Sequence, residues 1–599
     1  MNITQAILHS VEEGEGRIVI RLIPLVLLIT VILLLYNFDF YRGLDDTQSM
    51  DNAQLARQIS RGQGFTTEFI RPAAISQLHD YDTAQSVAHP QQSTDVFPPA
   101  LFPKGTPRIL PDTYNAPGYP YLLAGWFRLL HTNFVQSPLE IAGAHMYRGD
   151  RQIPWLNQIF LLLTAVLIFV MSHRLFDVRV AWMALMAFLA SNAVWQYSIT
   201  ALSTSVLMFL VTILLFGATE IFAVGEACFE STEASFKGAW IWTLILGVVL
   251  GLTCLTRLHL VILLLPLGLF LVFIPRANPF LIVLLALIVI GMVTPWFWHM
   301  YQISGSPIGS NVPLLHYGSS EFSGNEIYCT LAAPDYERLF KDVSKKEYEG
   351  FLWHFDHAWE LLGSNPLIVL FAASILHNFR RPRAQALRWL ILGCAVLLVG
   401  VTSLCVNNPA AVGPWNTVVL LFPAMLVVGS AFFFILLDRL NLQLWLLNNA
   451  IAIVVVAVTA FPMVMTLTSR QASLYNYPPY IPAYIRAVAQ VVAPDDWLTT
   501  DMPWATSWYG DRASLWLPDT VNDFEEIHDN YCPSDLLLLT PVILSEPATT
   551  LTSGEYKDWL PFIVGTALPA HFPLNARAPA ASSGLEYIIW GDEARLQAR

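Results

Sequence analysis

Charge is scarce in this chain. Only 13% of its 599 residues are Asp, Glu, Lys or Arg, about half the share of a soluble domain. What charge there is runs negative, with 32 basic side chains against 45 acidic ones and a net of -13. A nucleic-acid binder needs a basic face to neutralise phosphates, so nucleic acid is set aside as a partner. No Gly-rich phosphate loop and no dinucleotide fingerprint occurs. Short internal repeats and low-complexity tracts are missing too. Cysteine is thin, with 6 residues in all. Cys254, Cys394 and Cys405 lie in apolar runs and Cys228 in a loop between two of them. Cys329 and Cys532 fall in polar regions, where a disulfide and two separate thiols are equally open readings.

What is abundant is apolar surface, 55% of the residues. Long apolar stretches lie at roughly 18–36, 153–174, 180–197, 203–222, 239–256, 258–274, 279–298, 365–378, 387–405, 416–437 and 444–467. They predict an α-helical polytopic membrane protein with about eleven transmembrane helices. The first stretch sits behind Arg17 and Arg21. It runs into Asn37-Phe38-Asp39-Phe40-Tyr41 rather than the small residues of a cleavage site, so it reads as a retained span. With residues 1–17 in the cytoplasm, the inner loops carry Arg174 and Arg179, Lys237, Arg276, Arg380 to Arg388, and Arg439. The short outer loops carry almost none, as the positive-inside rule requires. Segment 119–131 is too short to cross and reads as a helix at the interface. The expected division is a membrane domain over 18–467, with outer loops 37–152 and 299–364, and an outer C-terminal α/β domain over 468–599. In that tail, strands at 497–499, 514–517 and 536–540 alternate with a helix at 482–492.

Ionisable groups crowd the outer loops. Asp45, Asp46 and Asp51 cluster just beyond the first span, where carboxylates can do proton chemistry on a molecule that reaches up from the lipid. The plain alternative is a solvated turn in which Asp51 caps the helix that follows. His354-Phe355-Asp356-His357 is the one metal-like cluster, but it lacks the further ligands a zinc site needs. Trp126, Trp296, Trp298, Tyr301 and Trp415 fall at span ends, and an interfacial belt accounts for them; a sugar-stacking platform formed by one or two of them is the alternative. The segment from Trp504 to Pro518, with Trp508-Tyr509-Gly510-Asp511-Arg512, matches no pattern that assigns it a role.

Four blocks in order resemble the GT-C superfamily of membrane glycosyltransferases. Within it they are similar to the branch that holds the protein O-mannosyltransferases and the lipid A aminoarabinose transferase. The blocks are Asp45-Asp46 leading to Met50-Asp51-Asn52-Ala53-Gln54-Leu55-Ala56-Arg57, then Ala116-Pro117-Gly118-Tyr119-Pro120-Tyr121-Leu122-Leu123, then Arg174-Leu175-Phe176, then Gly247 to Arg257 with its Gly-Leu and Thr-Arg elements. The resemblance implies a polyprenyl-phosphate sugar donor, an unidentified acceptor (lipid, glycan or protein) and a site on the extracytoplasmic face of a plasma or inner membrane. It implies a catalytic base at Asp46, with Asp45 and Asp51 as competitors, and a donor phosphate held by Arg257 or Arg57. Asn115, Tyr119 and His259 would contact substrate. The aminoarabinose transferase carries a lysine where Asn115 stands here. No cofactor is implied for single-sugar members, while a divalent cation serves oligosaccharide-transferring relatives. The competing functions are a transporter or flippase of lipid-linked intermediates, which would need ionisable groups at mid-span, and an assembly or receptor protein, which leaves the acidic first loop unexplained.

Overall fold

The computed structural model describes residues 16–592, apart from 89–109, 136–145, 231–236, 275–278, 323, 333–334, 407, 441–444, 470–481, 490–491, 494–495, 532, 545, 555, 566–568, 570 and 579–586. Cys532 lies outside the described residues. Every one of the eleven apolar stretches falls on helix. Eight of these helices are long and apolar enough to cross a membrane on their own. Leu258–Val272 and Pro366–Leu376 are shorter apolar helices. The remaining stretch is broken into Val178–Ala190 and Asn192–Ser198, bent by 58°.

The break has a local cause. Ser191 leaves the helix in extended backbone (φ −79°, ψ 120°), and the Trp195 indole donates to the freed carbonyl of Leu189 at 2.8 Å. Val418–Arg439 runs through the centre of the bundle, with 89% of its apolar window buried, against 11% for Leu447–Thr468 at the periphery. The peripheral helices expose Val283, Leu287, Ile290, Ile453 and Val454, as lipid-facing residues should.

The two ends of the bundle differ. At one end Arg381 donates to the last carbonyls of helix Arg148–Leu175, at Leu175 (2.6 Å) and Phe176 (2.8 Å). Arg383 pairs with Glu226 and Arg174 with Glu220. At the other end Asp150, in the first turn of the same helix, accepts from the Trp508 indole at 2.8 Å and the Tyr509 hydroxyl at 2.9 Å.

The C-terminal segment builds a six-stranded sheet in the order Phe69–Ile70, Ser514–Trp516, Leu498–Thr500, Leu536–Leu539, Ile588–Gly591, Ala576–Arg577. The first pairings are parallel and the last two antiparallel. The edge strand Phe69–Ile70 comes from the first loop, so the tail does not close its sheet alone. Segment 119–131 appears as the 12-residue helix Gly118–Leu129. Its Tyr119, Leu123, Ala124 and Phe127 are buried in the core while Tyr121 and Leu129 stay exposed.

Candidate active site

The site is organised by helix Thr47–Ser60. Asp46 sits before it in extended backbone (φ −104°, ψ 137°) and accepts the Ser49 N–H at 2.8 Å, so Asp46 is the N-cap. The expectation that Asp51 caps is corrected. Asp51 lies one turn inside the helix, fully buried, and its carboxylate holds Arg71 at 2.7 Å. This helix is polar yet buried, so its side chains must find partners. Asn52 donates to the Ala201 carbonyl at 3.0 Å, and Ser49 accepts the Ala201 N–H at 3.1 Å. Gln54 donates to Asp51 and to Thr67. The bend at Ser191 is what brings the chain after Ser198 within reach of these groups.

A second acid, Asp112, joins Asp51 through Asn115. The Asn115 amide donates to Asp51 at 3.0 Å and to Asp112 at 3.1 Å, while Gln48 donates to the Asn115 carbonyl oxygen at 2.6 Å. Burial, then the charge of Asp51, push the Asp112 carboxyl up to about 6, against the opposing charge of Arg71. The Arg71 guanidinium stacks 3.8 Å from the Tyr114 ring centroid and 4.0 Å from that of Phe69. The cation absent at Asn115 is therefore present beside it, from a different part of the loop.

Two adjoining chambers open against this framework. One, of about 410 Å³, is mainly apolar, with Leu202, Leu258, Val261, Phe297 and Ile308 in its wall and Arg257, His259, Asn115 and Tyr119 among its polar groups. The other, of about 290 Å³, contains Asp46, Arg71, Asn325, Asn408, Trp504 and Trp516. Gln48, Tyr114 and Trp415 line both and form the partition. Arg257 is fixed by three bonds: to the Ser203 hydroxyl (3.0 Å), the Thr204 hydroxyl (2.9 Å) and the Pro414 carbonyl (2.5 Å). A guanidinium has five N–H donors, so two remain for a ligand. Burial pushes the Asp46 carboxyl up to about 6; the Ser49 hydrogen bonds lower it, neighbouring Asp45 raises it, and Arg257 lowers it. Asp46 and Arg257 thus sense each other across the partition.

Of the residues singled out from sequence, Asp46, Asn115, Tyr119, Arg257 and His259 line the chambers. Tyr119 donates to Asn157 at 3.2 Å, and the His259 ring stacks on Trp415 with centroids 5.2 Å apart. Asp45 is exposed and lines neither chamber, and Asp51 is held beneath them as the partner of Arg71. Arg57 does not face a chamber, which corrects its expected phosphate role. It is fully buried and engaged by Glu68 (2.6 Å), the carbonyls of Ser507 and Trp508 (2.7 Å each) and Asp511 (3.1 Å). It ties the first loop to the tail.

Gly118 explains how two of the resembling blocks meet. A Cβ there would lie 2.6 Å from the Thr256 hydroxyl oxygen and 3.0 Å from the Leu255 carbonyl oxygen, so only glycine lets this helix start abut the Thr256-Arg257 end. Sequence reading missed Arg71, Gln48, Trp504 and Trp516. Arg71 follows a two-residue strand with no periodic signal, and Trp504 and Trp516 lay in the segment without an assigned role. Among the described residues no three His, Cys, Asp or Glu side chains are grouped to hold a metal. His354 and His357 each contact a carbonyl one turn back, of Gly350 and Trp353.

A bundle of membrane-length helices, a first loop bearing a capped polar helix, and a small α/β sheet at the C-terminal end make up a fold that this chain shares with solved polytopic membrane proteins. The particular likeness is to ArnT from Cupriavidus metallidurans bound to undecaprenyl phosphate, at a TM-score of 0.54 over 96% of this chain and 99% of that one, with 13% identity. The Archaeoglobus fulgidus oligosaccharyltransferase tethered with an acceptor peptide containing the NVT sequon is similar at a TM-score of 0.53, with 10% identity, over 94% of this chain and 74% of that one. No family model matches the sequence, and no curated protein matches it.

Proposed function

We propose that this protein is an integral-membrane glycosyltransferase that moves a sugar from a polyprenyl-phosphate donor to an acceptor nucleophile on the extracytoplasmic face. The observation that carries the reading is the placement of Asp46 and Arg257 in adjoining chambers on either side of the Trp415 and Tyr114 partition. ArnT, of the same fold, was captured with undecaprenyl phosphate, and the apolar first chamber suits a prenyl chain with its phosphate at Arg257.

In the reaction the acceptor oxygen forms a bond to the anomeric carbon. The bond from that carbon to the phosphate oxygen breaks, and its electron pair leaves with the phosphate. Arg257 stabilises that developing charge with its two uncommitted N–H groups. The acceptor proton passes to Asp46, a step worth about 10²–10⁴-fold in rate. Asp51, Asp112 and Asn115 hold Arg71 and the polar floor of the site in place. The acceptor and the sugar are left as classes.

The test is transfer of labelled sugar from a polyprenyl-phosphate donor in proteoliposomes. Asp46→Asn is expected to lose about 10²–10⁴-fold in turnover while still binding donor. Near-normal turnover in that variant removes Asp46 from the mechanism.

A further inference from the structure

We infer that the second chamber is a saccharide subsite walled by the C-terminal segment, so that the acceptor presents a carbohydrate hydroxyl rather than a peptide side chain. This rests on the transferase reading of the same site. The chamber is lined by Trp504 and Trp516 from the tail, Tyr328 from the second outer loop and Trp415 from the partition. The Tyr328 and Trp516 rings lie nearly parallel, 12° apart with centroids at 6.3 Å, and Trp504 stands edge-on to Trp516 at 5.8 Å. Flat aromatic faces of this kind meet the C–H face of a pyranose ring, and the hydroxyl rim of the ring then needs polar partners.

Those partners are present. Asn325 and Asn408 are both exposed, and neither side-chain amide bonds to a described residue. Asp46 and Arg71 complete the polar side. The indole N–H groups divide the same way. Trp508, Trp559 and Trp590 each donate to a protein acceptor, whereas those of Trp504 and Trp516 bond to no described residue. Both line the chamber, so their N–H groups are available to a ligand there. A lipid chain does not suit a wall holding a carboxylate and a guanidinium, because desolvating either is costly; the first chamber supplies the apolar alternative.

The experiment uses the full chain in nanodiscs without donor. Saturation-transfer NMR is recorded with methyl hexopyranosides, amino-sugar disaccharides, a short-chain glycolipid and a Ser/Thr-rich peptide as probes. Saturation is expected on ring protons of at least one saccharide, with affinity about tenfold weaker in Trp516→Leu and restored in Trp516→Phe. Asn408→Ala, at an exposed position, is expected to weaken it as well and decides the matter if Trp516→Leu fails to fold. Tighter binding of the glycolipid than of the free sugars identifies a lipid-linked acceptor; the reverse identifies a free glycan. Binding of the peptide alone, or saccharide binding unchanged in both Trp516→Leu and Asn408→Ala, overturns the inference. Donor turnover is scored separately. If it persists while saccharides do not bind, the inference fails and the transferase reading stands; if saccharides bind and no donor is turned over, the reading itself fails.

Discussion

At the scale of single residues, Asp46 has two claims on one carboxylate. It closes the N-terminus of helix Thr47–Ser60 through Ser49, and it also lines the second chamber. Asparagine caps about as well as aspartate, so Asp46→Asn separates the two roles: the helix stays closed and the base is lost. The pH dependence follows from the raised carboxyl, at about 6. A base held above its ordinary value is protonated and inactive below about 6 and becomes competent as pH rises through it. Transfer at limiting substrate is therefore expected to fall on the acid side with a midpoint near 6. Because Arg257 lowers the Asp46 carboxyl, Arg257→Gln is expected to move that midpoint upward as well as to slow turnover. A midpoint in Arg257→Gln that stays in place would show that the two side chains are not electrostatically coupled. This is also the scale at which sequence was least informative. Asp46, Asn115 and Arg257 stand in recognisable blocks, but Arg71 reaches the site only because Asp51 and Asp112 pull it under the chamber floor. Nothing in its neighbourhood announces that.

At the scale of elements, the buried polar helix Thr47–Ser60 is the hinge of the argument. Its place after the first span was legible. Its burial on every side was not, because the covering comes from the tail some 450 residues later in the chain, through Arg57 with Ser507 and Trp508. The same long-range contact hid the edge strand Phe69–Ile70, whose partner Ser514–Trp516 lies equally far away. Short strands have no sequence signature until their neighbour is known. Arg57 is the point to probe. Breaking a buried ion pair by removing one partner costs about 3–5 kcal/mol, and the low end applies here because the Asp511 side chain is 41% exposed. Arg57→Met is accordingly expected to destabilise the protein by about 3 kcal/mol and to make the tail sensitive to limited proteolysis before the membrane helices unfold. A melting profile and tail protection equal to those of the parent would show that the tail is held by the Asp150, Trp508 and Tyr509 contacts instead.

At the scale of the whole molecule, apolar runs and their basic flanks are strong signals, because a helix in lipid has few alternatives. That is why all eleven stretches could be located from sequence, including the two short helices and the bent pair. The structure adds which groups gather at each of the two ends. Helix Arg148–Leu175 connects them: Asp150 meets the tail, and the carbonyls at Leu175 and Phe176 meet Arg381. Asp46, Trp504 and Trp516 line a single chamber, so the candidate base and the tail must share a side of the membrane. The arginines that mark the other end are the ones the positive-inside rule assigns to the cytoplasm. Placing cysteines at exposed Lys557 in the tail and exposed Asn378 beside the arginine cluster tests this directly, since the described native cysteines are buried. In intact cells whose outer barrier admits the reagent, a membrane-impermeant maleimide is expected to label Lys557→Cys at once and Asn378→Cys only after the inner membrane is opened. The opposite order would put Asp46 in the cytoplasm, away from any donor presented on the outer leaflet, and the extracytoplasmic transfer reaction could not stand.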